Sequence, residues 1–176
     1  MSVEYSIVAA RPHDLARLPV IELDAARLLS GHAPESVLNE TTSDEKFLGA
    51  SRAGLLWVVL ADDVAVGFAL VDVIDASTAH LEEIDVLPAH GRRGLGTQLV
   101  AHVCRWAETN GFEYVTLTTF RDVRWNRPFY ERLGFRVMRA ADLSPALRGI
   151  VEDETRRGLD PQRRVAMRRR SWSQTE

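Results

Sequence analysis

A chain of 176 residues with 45% hydrophobic content is long enough to bury one substantial core and short for two, so a single domain over residues 1–176 is expected. Its net charge of −3 and pI near 6.0 argue against a global basic field for nucleic acid or an anionic bilayer. Cys104 is the sole cysteine, which excludes an internal disulfide and a cysteine metal cluster.

In chain order, residues 5–9 predict a short first strand. A helix start follows at Pro12, His13 and Asp14, with Leu15, Leu18, Ile21, Ala25 and Leu28 as its apolar stripe, Pro19 as a break and Gly31 as the stop. Residues 33–51 read as a second helical segment, clearest after Asp44, with a polar linker over 39–43. The runs 55–61 and 64–73 are rich in Val, Leu and Phe around Asp62-Asp63, the pattern of a β-hairpin. Both runs are too short to span a membrane, and the N-terminus has no apolar signal region. A soluble cytoplasmic protein is the expectation.

Residues 80–87 predict a third long strand, stopped at Pro88, which has no N–H to donate. Regular alternation along it places His80 and Glu82 on one face, with Glu83 and Asp85 on the other. Downstream, Leu95, Leu99, Val103 and Trp106 recur at helical spacing until Asn110-Gly111. Gly94 to Thr97 therefore sit at a helix N-terminus. The first N–H groups there lack helical partners and carry the positive end of the dipole, glycines let an anion approach, and Arg92 and Arg93 add charge.

Two phosphate loops fail against this turn. A nucleotide-binding P-loop needs lysine after its last glycine, whereas Gly96 is followed by Thr97, and the order Gly91-x-x-Gly94-x-Gly96 is not the dinucleotide fingerprint.

The strand–helix unit is followed by an alternating strand at 113–120, which implies parallel pairing and a right-handed crossover. A short helix at 126–133 has Asn126 as its cap and Gly134 beyond its end. A strand at 135–138, an inserted helix at 144–158 and a last strand at 163–170 complete the chain. The basic tract 163–170 reads as a strand with a charged outer face. The whole is a mixed α/β sheet covered by helices.

The turn resembles the acyl-CoA loop Gln/Arg-x-x-Gly-x-Gly/Ala of the GNAT acetyltransferase superfamily, with Gly91 standing where that motif carries Gln or Arg. Residues 126–135, Asn-Arg-Pro-Phe-Tyr-Glu-Arg-Leu-Gly-Phe, look like the same family's Asn-x-x-x-Phe-Tyr-x-x-x-Gly-Phe segment at the expected distance. The resemblance implies the family's fold, a mostly antiparallel sheet with one parallel strand pair. It also implies acetyl-CoA as acyl donor, no metal, an amine substrate, direct transfer in a ternary complex, no nucleic-acid partner and, commonly, a homodimer.

By the same resemblance Tyr130 is the general acid for the leaving thiolate, and a phenol can fill that role only when placed beside it. His80 or Glu82 is the candidate base. Ile84, Asp85, Val86 and Leu87 would hold the pantetheine arm as if it were a strand, in a stretch that family members commonly bulge, with an N–H near Val86 facing the oxyanion. Arg92, Arg93, Gly94, Leu95, Gly96 and Thr97 would take the pyrophosphate, with Asn126 and Phe129 also at the cofactor. Glu22 and Asp24, with Glu40, are candidates to hold a cationic substrate, and the insertion 142–160 either caps the cleft or builds a dimer edge. The competing readings are a toxin-like transferase acting on aminoacyl-tRNA, which would want a basic face, and a binding module that senses acyl-CoA without turnover.

Overall fold

The computed structural model describes residues 3–172. The hairpin forms as its residues require: β2 (Leu56–Ala61) and β3 (Val64–Asp75) pair antiparallel. Asp62 and Asp63 turn with φ of 47° and 70°, the double left-handed conformation of a tight hairpin loop. β1 (Tyr5–Ala9) pairs with the outer side of β2, and β4 (Thr78–Val86) with β3. The crossover helix α4 (Leu95–Thr109) returns the chain to β5 (Tyr114–Phe120), which runs parallel to β4. β6 (Arg136–Val137) and β7 (Arg164–Arg170) complete a seven-stranded sheet in the order β1-β2-β3-β4-β5-β7-β6.

The N-terminal helices fall in three pieces: α1 (Leu18–Ala26), the single turn α2 (Glu35–Leu38) and α3 (Asp44–Arg52). Contrary to the expected break, Pro19 does not interrupt a helix. It sits in the first turn of α1, where a missing N–H costs nothing, and Leu15 lies in a separate 3₁₀ turn before it. Past the sheet's centre, α5 (Arg127–Arg132) follows β5, and α6 (Pro145–Arg156) occupies the predicted insertion.

The two faces of the sheet have separate cores. On one, Val59, Ala69, Val71 and Leu81 pack against Leu99, Val103 and Ala107 of α4. On the other, Val58, Phe68 and Leu70 pack against Leu18 and Ile21 of α1 and Phe47 of α3. Glycine is required at position 67 by a close approach: an added Cβ would lie 2.8 Å from the Asp85 carbonyl oxygen in the next strand. β7 carries the expected charged outer face in part, with Arg168 and Arg170 exposed. Arg164 turns inward to Glu154, and Arg169 reaches Cys104.

The site is positioned by a fault in the middle of the sheet. β4 and β5 pair only through Thr78, Ala79 and His80 with Tyr114, Val115 and Thr116. Beyond that β5 continues against β7 and β4 against β3, so the two strands part and leave a gap with an unpaired strand edge.

Candidate active site in the split between two parallel strands

Backbone alternation sets what faces the gap. The Leu87 N–H donates to the Val66 carbonyl at 2.8 Å, toward β3. Successive residues of a strand point their backbone groups to opposite sides, so Val86 and Ile84 aim N–H and C=O into the gap, where β5 does not meet them. Orphaned strand groups of this kind suit an extended amide-bearing ligand arm. At the carboxyl end of β4 the chain turns through a 3₁₀ turn at Pro88–His90, then through Arg92 and Gly94 at φ of 56° and 76°, into α4. The helical ladder begins with Gln98 N–H to the Gly94 carbonyl at 3.0 Å, so Leu95, Gly96 and Thr97 present free N–H groups.

Arg92 and Arg93 are exposed beside these N–H groups and form no ion pair among the described residues. Gly91 has ordinary extended dihedrals, and a Cβ there would lie 3.1 Å from the Pro88 carbonyl oxygen, a tight approach that a shift of a few tenths of an ångström relieves. The loop is pinned from β1, where the Tyr5 hydroxyl hydrogen-bonds His90 Nδ1 at 2.9 Å. Over Gly96, a Cβ would meet the Phe129 ring at 3.5 Å, an ordinary contact that brings α5 onto the start of α4. These groups fit a pyrophosphate-bearing cosubstrate with an extended arm.

One extra residue in β4 decides which side chains meet. Leu70 pairs with Glu83 but Val71 pairs with Leu81, so Glu82 is a β-bulge. The bulge corrects the alternation expected from sequence. Glu83 and Asp85 stand opposite Leu70 and Phe68, on the α1 side of the sheet, and His80 stands opposite Asp72 on that same side. Ile84 and Val86 turn instead to the α4 side. Glu22 of α1 completes the group, nearly buried and accepting hydrogen bonds from the Thr42 N–H and hydroxyl.

Four carboxylates therefore share one cleft. Burial, then the nearby charges of Glu22 and Glu82, pushes Glu83 up to about 7. Asp85 is raised well above the usual carboxylate range by burial and by Glu83 and Glu22, and Glu22 is raised mainly by burial. Glu82 alone has a cation, Lys46 of α3. On α5, where Tyr130 packs against the α4-side core, burial first and then the charges of Glu83 and Asp85 hold its phenol above its ordinary value. A phenol so buried stays protonated at physiological pH.

Other candidates lie elsewhere or are engaged. His80 is 2% exposed, its Nδ1 is 3.0 Å from the Thr116 hydroxyl, and burial pulls its pKa down to about 4, so it is a neutral core group. Asp24 pairs with Arg27 one turn along the helix, and Glu40 pairs with Arg157 of α6. Asn126 stands at the N-cap position of α5 but makes no side-chain cap bond, which leaves its amide available. Sequence periodicity passed over Glu83. The trace was there in Leu81-Glu82-Glu83-Ile84, where apolar residues three apart inside a strand mark a bulge.

Helix α6 covers the same face farther along the sheet. Glu154 takes Arg164 in a two-point ion pair, with contacts of 2.8 and 3.1 Å, and accepts from the Thr118 hydroxyl. Among the described residues no helix is long and apolar enough to cross a membrane, and no cluster of His, Cys, Asp and Glu has the makings of a metal site.

Comparison with known proteins agrees with this geometry. The model of the Acetyltransferase (GNAT) family matches residues 23–135. An aminoglycoside N(6′)-acetyltransferase type 1 of Salmonella typhimurium is 33% identical over 122 residues, 62% of this chain and 78% of that protein. Among solved structures, the PaiA N-acetyltransferase of Thermoplasma acidophilum in complex with coenzyme A superposes with a TM-score of 0.72 at 18% identity, covering 95% of this chain and 99% of that one. The ribosomal-protein-S18-alanine N-acetyltransferase of Escherichia coli gives 0.66 at 22% identity, covering 98% and 97%.

Proposed function

Because the chain belongs to the GNAT acetyltransferase family, we propose that it transfers the acetyl group of acetyl-CoA directly to an amine of a small cationic molecule. What supports this reading is the split between β4 and β5, whose unpaired edge at Ile84 and Val86 leads to the bare N-terminus of α4.

Each group of the chain has a task in that reaction. The N–H groups of Leu95, Gly96 and Thr97, with Arg92 and Arg93, hold the pyrophosphate, and the edge of Ile84 and Val86 holds the arm that leads from it. Acetyl-CoA supplies a thioester whose C–S bond breaks as the new C–N bond forms. Glu83, with a pKa of about 7, accepts the proton an ammonium must lose before its nitrogen can attack. Tyr130 donates its hydroxyl proton to the departing sulfur and is restored by the second proton that the nitrogen sheds as it becomes an amide, and the Val86 N–H offers a donor to the carbonyl oxygen as charge builds there. A covalent route through cysteine is disfavoured, since Cys104 is buried in α4 and burial raises its thiol pKa.

Small molecules rather than aminoacyl-tRNA suit the acidic cleft, which would repel phosphate. The test is thermal melting with acetyl-CoA, CoA and NAD added separately, followed by an amine screen. A rise of several degrees with both coenzyme A species and none with NAD is expected, since a ligand bound only by the native state adds stability. No rise removes the reading, and a rise without transfer to any amine reduces the protein to a binding module.

A further inference from the structure

The turn that presents the N-terminus of α4 holds a conformation it would not keep unaided. Arg92 stands at φ 56°, in the left-handed region where a side chain is strained and glycine is not. A residue other than glycine stays there only where its surroundings over-determine it. Downstream the turn is fixed by Leu95, buried in the core that α4 covers. Upstream it is fixed by the Leu87 N–H on the Val66 carbonyl. Between these points the backbone closes only on itself, with the His90 N–H on the Leu87 carbonyl at 2.8 Å and the Gly91 N–H on the Pro88 carbonyl at 3.1 Å. Such bonds persist wherever the turn swings.

Among the described residues, one side-chain hydrogen bond ties residues 88–97 to another element, and it joins His90 Nδ1 to the Tyr5 hydroxyl. The partner is well founded. Tyr5 stands opposite Ala61 in the sheet, and its ring packs against the core under α4. The start of β1 is locked to the β2–β3 turn by reciprocal bonds of 3.1 Å, the Glu4 N–H to the Asp62 carboxylate and the Asp62 N–H to the Glu4 carbonyl. The Tyr5 and His90 rings meet edge to face, with centroids 5.9 Å apart at 83°. Both are half-buried, so water weakens the bond between them less than it would at the open surface.

Resting on the acetyl-CoA reading above, we infer that Tyr5 and His90 are positioning residues for the cosubstrate. Through them β1 holds the turn so that Arg92 and the N–H groups of Leu95, Gly96 and Thr97 stand ready before acetyl-CoA arrives. They act on the turn and not on the ligand. When only a fraction of molecules presents the turn, the apparent Kd rises by the inverse of that fraction, so losing the bond weakens binding without removing any group that binds.

The experiment is calorimetric titration with CoA, and melting of the free protein beside it, for the wild type, Tyr5→Phe, His90→Phe, His90→Asn and the double variant Tyr5→Phe/His90→Phe. Tyr5→Phe keeps the packed ring, loses only the hydroxyl, and should raise the Kd for CoA about three- to tenfold. His90→Phe should do the same and the double variant no more, since all three lack one and the same bond. His90→Asn carries a polar atom at the place of Nδ1 and should bind CoA within about twofold of the wild type, a rescue that a merely structural role would not give. An unchanged Kd in Tyr5→Phe would overturn the proposal while wild-type binding leaves the acetyl-CoA reading standing. Additive losses in the double variant would overturn it too, and so would His90→Asn binding as weakly as His90→Phe. If Tyr5→Phe melts too low to titrate, the contrast between His90→Asn and His90→Phe decides alone. No binding of CoA by the wild type sinks the acetyl-CoA reading and the positioning role with it.

Discussion

Glu83→Gln should lower kcat/KM about 10²- to 10³-fold, the range lost when a positioned general base is removed. The pH profile should change with it. In the wild type, kcat/KM rises through the carboxyl's value of about 7 and levels above it. In the variant that limb disappears, leaving only the ionisation of the amine itself. Stability moves the other way. The folded-state pKa lies above the unfolded one, so between about 4.5 and 7 the unfolded chain binds fewer protons, and stability falls as pH rises through that window. Glutamine carries no such penalty. Above pH 7 the variant should melt several degrees higher than the wild type, a gain on the order of 2 kcal/mol, and the difference should close by pH 4.5. His80 acts oppositely over an overlapping range, because its depressed pKa costs stability as pH falls from 6.5 toward 4. It is common to both proteins and drops out of the comparison. A variant as active as the wild type would return the base to Glu82 or to water.

Tyr130→Phe should cut kcat about 10²-fold while the KM for acetyl-CoA moves less than threefold. The ring has packing to preserve, with Phe129 at 5.0 Å and Phe135 at 5.8 Å between centroids, and phenylalanine keeps those contacts. Only the proton donor is lost. The effect should be largest with slow thiol leaving groups and shrink for an acyl donor whose thiol is more acidic, since such a thiolate departs without help. A fall confined to KM would instead make Tyr130 part of the binding surface. Burial, reinforced by the charges of Glu83 and Asp85, keeps the phenol protonated, so no wild-type activity should be lost to phenol ionisation up to pH 9.

The hairpin, the phosphate-type turn and the segment from Asn126 to Phe135 were legible because each rests on local chemistry. Asp62-Asp63 can turn only a few ways, and Gly94 supplies the left-handed residue before a helix. The parallel pairing of β4 and β5 followed from the length of the crossover. What sequence misplaced was orientation. A period of two assigns every residue of a strand to a face by counting, and one uncounted residue at Glu82 moved Glu83 and Asp85 to the side of α1. His80 was unreadable for another reason: its burial depends on Thr116, brought alongside by a strand 36 residues away. On α1, Glu22 and Asp24 looked equivalent. Two helical residues apart they point some 200° from one another, and only Glu22 reaches the cleft.

The parting of β4 from β5 gives the protein an unusual map of amide exchange. Central strands are normally the last to exchange their amide hydrogens, because opening them costs nearly the global unfolding free energy. Here the Ile84 and Val86 amides lie in the middle strand of seven yet have no strand opposite. They should exchange within seconds to minutes while Val58 and Val59, one hairpin away, stay protected for hours. Filling the gap with coenzyme A should slow both sites together, making the centre of the sheet a reporter of its own occupancy.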